Sequence, residues 1–195
     1  MITAIVLAAG LSTRMGTQKM TLPWGQSTVI GAVIQTLTDA GIDDICVITG
    51  ELHAELRVLL NGYKVNLVNN KNYQNGEMLT SIQVGLRELK AGTEAVLIIL
   101  GDQPQIEAIV VKIIIERHQL THHSLIVPSY KMQRGHPWLV GKEYWEEVLA
   151  LRPPSTLRDF LNIHAEKIDY VIVETPSIVQ DLDTQQDYER YNPYP

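Results

Sequence analysis

The chain has one cysteine, one phenylalanine and three tryptophans among 195 residues. A lone thiol, Cys46, excludes an internal disulfide, and its place in the apolar run Ile45-Cys46-Val47-Ile48 marks it as a small buried hydrophobe rather than a nucleophile. A reducing cytoplasm fits that usage. Basic residues are also scarce: 16 Lys and Arg stand against 22 Asp and Glu, a net charge of −6. Grip on a nucleic-acid backbone needs many clustered cations, so the balance argues against that class. No apolar stretch reaches the roughly 20 residues needed to cross a bilayer, and the N-terminus lacks the basic start and cleavage site of a signal peptide. A soluble, unprocessed protein without a membrane partner is expected. Repeats, linkers and low-complexity blocks are missing too, and 45% hydrophobic residues suit one large core, so a single domain over 1–195 is expected.

What is present begins at the first residues. The apolar run Ile2-Thr3-Ala4-Ile5-Val6-Leu7 empties into Ala8-Ala9-Gly10-Leu11-Ser12-Thr13-Arg14-Met15-Gly16-Thr17-Gln18-Lys19. Continuous apolar runs are the mark of buried parallel strands, and ligands of open α/β sheets sit beyond the carboxyl ends of such strands. Small residues and Gly10 let backbone N–H groups approach an anion, while Arg14 and Lys19 add cations, so the loop reads as a polyphosphate grip. It is not a P-loop, because five residues separate Gly10 from Gly16 and the lysine comes three further on. Nor is it a dinucleotide loop, since Ser12 stands at the second glycine position.

Further along, strands at 45–49, 64–68, 95–100, 124–128 and 169–173 alternate with helical patterns, which predicts an α/β, Rossmann-like three-layer domain with a mostly parallel sheet. Two short strands around Ser129 to Val140 predict a small antiparallel excursion at the sheet edge. The Asn-rich stretch from Asn69 to Gly76 reads as a loop over the sheet, and Thr80 and Ser81 fall near the next helix start, where a hydroxyl can cap the helix or the free N–H groups can read a base. The most apolar run, Ala95 to Leu100, delivers Gly101-Asp102-Gln103-Pro104. A carboxylate there, in the crevice of a phosphate loop, suits Mg²⁺, which takes one or two carboxylates plus phosphate oxygens and water; Asp102 as a plain helix cap is the competing reading. His118, His122 and His123 lack the glutamate and third ligand of a zinc helix and are assigned no metal.

The first loop resembles the L-x-x-G-x-S/G-x-R-M-G-x-x-K signature of nucleotidyltransferases that activate small phosphorylated acceptors with CTP or GTP. Its Leu7-Ala8-Ala9-Gly10 is similar to the molybdenum cofactor cytidylyltransferases rather than the guanylyl enzymes with Leu-Ala-Gly-Gly. Three later strings follow in the family's order. Met78 to Leu86 resembles G-M-x-S-S-[IL]-x-x-G-L, with Glu77 as a departure; Gly101 to Pro104 matches the cytidylyl branch; and Asp181-Leu182-Asp183-Thr184 resembles the closing D-[IL]-D-T-P-E, with Gln185 and Gln186 in place of Pro and Glu. Arg134-Gly135-His136-Pro137 also looks like that branch, and its Arg and His offer donors to an anionic acceptor such as a phosphorylated pterin.

The resemblance implies transfer of CMP from CTP to the phosphate of molybdopterin or the molybdenum cofactor, with release of pyrophosphate. Arg14 and Lys19 would neutralise the triphosphate, while Asp102 and Asp183 would hold Mg²⁺ or Mn²⁺, Asp181 competing with Asp183 because alternate residues of an extended segment share a face. Leu7, Ala8, Ala9, Gly10 and Ser12 would hold the nucleotide, Thr80 and Ser81 its base, Arg134 and His136 the acceptor. No general base is needed, since the acceptor phosphate is already ionised. A molybdoenzyme or its maturation chaperone would receive the product. Alternatives left open are GTP as donor, a sugar or polyol phosphate as acceptor, and a nucleotide-binding regulator without turnover.

Overall fold

A computed structural model describes residues 1–10, 18–74 and 77–193. The strands among them are β1 (Ile2–Ala8), β2 (Pro23–Trp24), β3 (Ser27–Thr28), β4 (Asp44–Thr49), β5 (Asn66–Asn69), β6 (Ala95–Leu100), β7 (Leu125–Tyr130), β8 (Gln133–Arg134), β9 (Trp138–Gly141) and β10 (Asp169–Ile172). The helices are α1 (Val29–Asp39), α2 (His53–Leu59), α3 (Glu77–Arg87), α4 (Ala108–Thr121), α5 (Trp145–Ala150), α6 (Leu157–Ile163) and α7 (Gln185–Tyr191).

β1 lies inside the main sheet, paired in parallel with β4 on one side and β6 on the other. Its side chains alternate between two cores, as a doubly covered strand must. Ala4, Val6 and Ala8 join Ile30 and Ile34 of α1 and Val110 and Ile114 of α4 on one face. Ile5 and Leu7 join Ile82 of α3 and Phe160 of α6 on the other. This is the expected three-layer α/β fold, with strand order β10-β7-β9-β6-β1-β4-β5 and β8 attached to β7.

The antiparallel excursion is not at the edge. β9 is inserted between β6 and β7, antiparallel to both. All four of its residues are buried, and a strand as apolar as Trp138-Leu139-Val140-Gly141 gains more from two covered faces than from an edge. The reversal also matters for position. β9 begins at the end of the sheet where β1 and β6 finish, so Gly135 and His136, which precede it, join the same crevice. A separate two-stranded antiparallel hairpin is formed by β2 and β3. Helix α4 starts at Ala108 with Glu107 at its cap, so Asp102 does not cap it.

Local chemistry fixes the helix starts around the site. Thr28 accepts a bond from Gly31 N at 3.2 Å at the head of α1. Thr184 and Asp187 form a reciprocal capping box on α7, where Asp187 N donates to Thr184 Oγ1 at 3.1 Å and Thr184 N to Asp187 Oδ2 at 2.8 Å.

Candidate active site

Three of the expected residues meet at one point. Lys19, in a short 3-10 turn (Lys19–Thr21), is only 7% exposed, and its Nζ donates to Asp183 Oδ1 at 2.9 Å and lies 3.6 Å from Asp102 Oδ2. An ammonium thus stands between the two carboxylates. Gly101 carries Asp102 there by extending the β6 pairing with β1 one residue further: its N donates to Leu7 O at 2.9 Å, and a Cβ at Gly101 would lie 3.0 Å from both that oxygen and the Ile30 side chain. Burial raises the Asp102 carboxyl above its ordinary value against the pull of Lys19, and the Asp181 charge adds to the rise.

Asp183 arrives from the far end of the chain between two anchors. Leu182 is fully buried against Trp24 and Val29 on one side. Upstream, the Gln103 and Gln105 side chains both donate through Nε2 to the Gln180 carbonyl, and Gln103 also donates to Asp181 Oδ1 at 2.7 Å. Alternation along the segment therefore turns Leu182 inward and both aspartates outward, each to a different partner.

Two cavities flank this cluster. The first, of about 370 Å³, is lined by Leu7, Ala9, Gly10, Tyr73, Ser81 and Asp102. The second, of about 640 Å³, is lined by Gln103, Arg134, His136, Trp138, Arg158 and Asp181. They share Met78 and Leu100 as a common apolar wall. Such a pair of adjoining hollows can hold two small molecules with their reactive ends close together.

A family model described as the MobA-like NTP transferase domain matches residues 4–168. The chain belongs to this family. It is a nucleotidyltransferase, and its substrates are a nucleoside triphosphate and an acceptor. The molybdenum cofactor cytidylyltransferase of Escherichia coli K12 is 29% identical to it over 97% of both chains. Among solved structures, the Rv0371c protein of Mycobacterium tuberculosis H37Rv superposes with a TM-score of 0.84 at 27% identity, covering 98% of this chain and 96% of that one. The same mycobacterial protein in complex with manganese gives a TM-score of 0.80 at 26% identity over 100% and 99%. Among the described residues no helix is long and apolar enough to cross a membrane.

Within this transferase fold, Leu7, Ala9 and Gly10 line the first cavity, whereas the Ala8 side chain packs into the core. Ser12 and Arg14 lie outside the described residues. Ser81 faces the same cavity; Thr80 beside it is half-buried and does not line it. Both hydroxyls accept bonds from Asn70 Nδ2, at 3.0 Å to Ser81 and 3.1 Å to Thr80. Asn70 is 2% exposed, against the expectation of a loop too polar for the interior. Its Oδ1 accepts from Asn72 N at 3.0 Å and its own N donates to Thr49 O at 2.8 Å, so the buried amide is satisfied.

On the other side, Arg134 and His136 both line the second cavity. Arg134 is aimed by bonds to Tyr170 OH and Asn162 Oδ1, each 2.7 Å. His136 stacks on Trp138 with ring centroids 4.2 Å apart, and its Nε2 is buried without a partner. Burial first, then the Arg158 charge, lower its pKa to about 3, so the imidazole is neutral. Sequence reasoning missed the roles of Asn70, Gln103 and Gln105. The signal for the two glutamines was their place beside Asp102, opposite a segment with two aspartates.

The donor set fits a divalent ion. No group of three or more His, Cys, Asp or Glu side chains converges among the described residues, so an all-protein cage is not offered. Asp102 and Asp183 already share one cation, and their side chains remain 28% and 42% exposed. Two accessible carboxylates suit an ion that completes its shell with phosphate oxygens and water.

Proposed function

We propose that the protein moves CMP from CTP to the phosphate of a phosphorylated pterin, molybdopterin or the molybdenum cofactor, and releases pyrophosphate. The observation that carries this reading is the adjacency of the two cavities beside the Asp102–Lys19–Asp183 cluster. The donor nucleotide occupies the first cavity and the acceptor the second. An acceptor phosphate oxygen attacks the α-phosphorus, and the bond to the β-phosphate oxygen breaks. Transfer of this kind needs positioning and charge stabilisation more than covalent help.

Each residue then has a task. Leu7, Ala9 and Gly10 shape the nucleotide cavity beside the first loop, where Ser12 and Arg14 meet the triphosphate. Ser81, held alongside Thr80 by Asn70, meets the base side. Lys19 shifts from the carboxylates towards the phosphates and offsets charge on the departing pyrophosphate. Arg134 and Arg158 bind the acceptor phosphate, while neutral His136 and the Trp138 beneath it bound the acceptor without adding charge. Asp102 and Asp183 would hold Mg²⁺ or Mn²⁺, which supplies Lewis acidity and orients the triphosphate when bound. The reading is supported by the E. coli relative named for this activity and by the Gly101 to Pro104 string. A cytoplasmic site of action, with delivery to a molybdoenzyme or its maturation chaperone, goes with it.

Pyrophosphate release by the purified protein with molybdopterin tests the reading, comparing CTP with GTP and Mg²⁺ with chelator. Release that needs CTP, acceptor and metal is expected. Release with GTP alone would overturn the choice of base and keep the reaction. Release only with a sugar or polyol phosphate would overturn the acceptor. Nucleotide binding with no release under any combination would make the protein a regulator.

A further inference from the structure

The closing segment carries two carboxylates, and they part company. Asp183 meets Lys19, whereas Asp181 meets Gln103. Asp181 is near enough to Asp102 for its charge to help raise that carboxyl. Two carboxylates, Asp102 and Asp183, thus face the Lys19 cation, while the third, Asp181, is tied off by a neutral amide.

Gln103 is built for that task. It is 2% exposed, and its Nε2 donates to Asp181 Oδ1 at 2.7 Å and to Gln180 O at 3.3 Å. Its Oε1 is buried with no partner. Turning the amide over would set a carbonyl against two acceptors, so the unpaired oxygen is the cost of keeping both donors on the segment. A lysine or arginine in its place would bring a second fixed cation beside Lys19. An amide holds the carboxylate and adds no charge.

We propose that Gln103 is a positioning residue that keeps Asp181 out of the cation site, leaving Asp102 and Asp183 as the pair that faces Lys19 and a divalent ion. The inference rests on the metal-dependent transfer proposed above. Mg²⁺ in such sites takes one or two carboxylates and keeps positions for phosphate oxygens and water. A third carboxylate would fill one of those positions and repel the triphosphate. Metal would be held more tightly and used less well.

Titration of nucleotide-free protein with Mn²⁺, followed by electron paramagnetic resonance, reads this directly. Gln103→Met is expected to tighten Mn²⁺ about tenfold, in the range by which residues behind metal ligands act, while turnover falls. A merely structural clamp would give the opposite sign, since a loosened segment weakens a metal site. Gln103→Met combined with Asp181→Asn should return to the affinity of Asp181→Asn alone. Gln105→Met removes one of the two bonds to the Gln180 carbonyl and leaves Asp181 held, and should not tighten Mn²⁺. Gln103→Ala, which clears the same space, serves if the methionine variant does not fold. Unchanged or weaker Mn²⁺ binding in the Gln103 variant, or tightening that survives Asp181→Asn, would overturn the partition while the transferase reading stands. A wild type that binds no Mn²⁺ with or without CTP removes the proposed metal site and the partition with it.

Discussion

Lys19 is the residue on which charge converges. Nearly buried between Asp102 and Asp183, it balances two carboxylates that would otherwise repel each other in a partly dry crevice. On the proposed reaction it also meets the leaving pyrophosphate, so Lys19→Gln should lower turnover on the order of 10² to 10³-fold. Circular dichroism checks that the variant folds, and wild-type turnover in a folded variant would sink the role. His136 offers a test of a different kind. Its pKa of about 3 lies below the ordinary 6.5, so below 6.5 the unfolded chain binds a proton that the folded chain refuses. The stability it contributes is complete above pH 6.5 and is lost as pH falls towards 3. Melting temperature should therefore decline less steeply with acid in His136→Gln than in the wild type; equal slopes would show that the imidazole titrates normally.

At the scale of elements, the closing segment is the piece that completes the cluster. Leu182 seats it against Trp24 and Val29, and Tyr188 OH in α7 donates to the Pro23 carbonyl. Leu182→Ala should destabilise the fold by about 2–5 kcal/mol, measured by chemical denaturation, because a fully buried leucine leaves a cavity. It should also slow turnover at temperatures where the protein is still folded, as Asp183 loses its fixed place. Buried strands were readable from residues alone: continuous apolar runs mark β1, β4, β6 and β7. The place of β9 was not. Local pattern shows that Trp138 to Val140 are buried but not which strands flank them, since strand order is settled by long-range pairing. Asn70 was misread for a related reason. Its polarity signals solvent, and only the tertiary fold brings Thr80 and Ser81 to satisfy its amide. The motifs named Asp102 and Asp183, yet the partners that hold them apart from Asp181 are visible only in three dimensions.

For the molecule as a whole, the resting cluster has a thermodynamic signature. Lys19 already offsets Asp102 and Asp183, so a chelator should leave the melting temperature of nucleotide-free protein unchanged. CTP with Mg²⁺ at about a hundred times its Kd should add about 2.7 kcal/mol, because ligand binding to the folded state alone shifts unfolding by mass action. A fall in melting temperature with chelator would reveal a resident ion. The reversed strand β9 has a different kind of consequence. Every residue lining the first cavity lies at or before Asp102, whereas the second is built mainly from residues after Met132. Space and chain order thus coincide on either side of one seam, and ancestry can act on them separately. A lineage could trade the later stretch, and with it the molecule that receives the transferred group, while inheriting the earlier hundred residues intact.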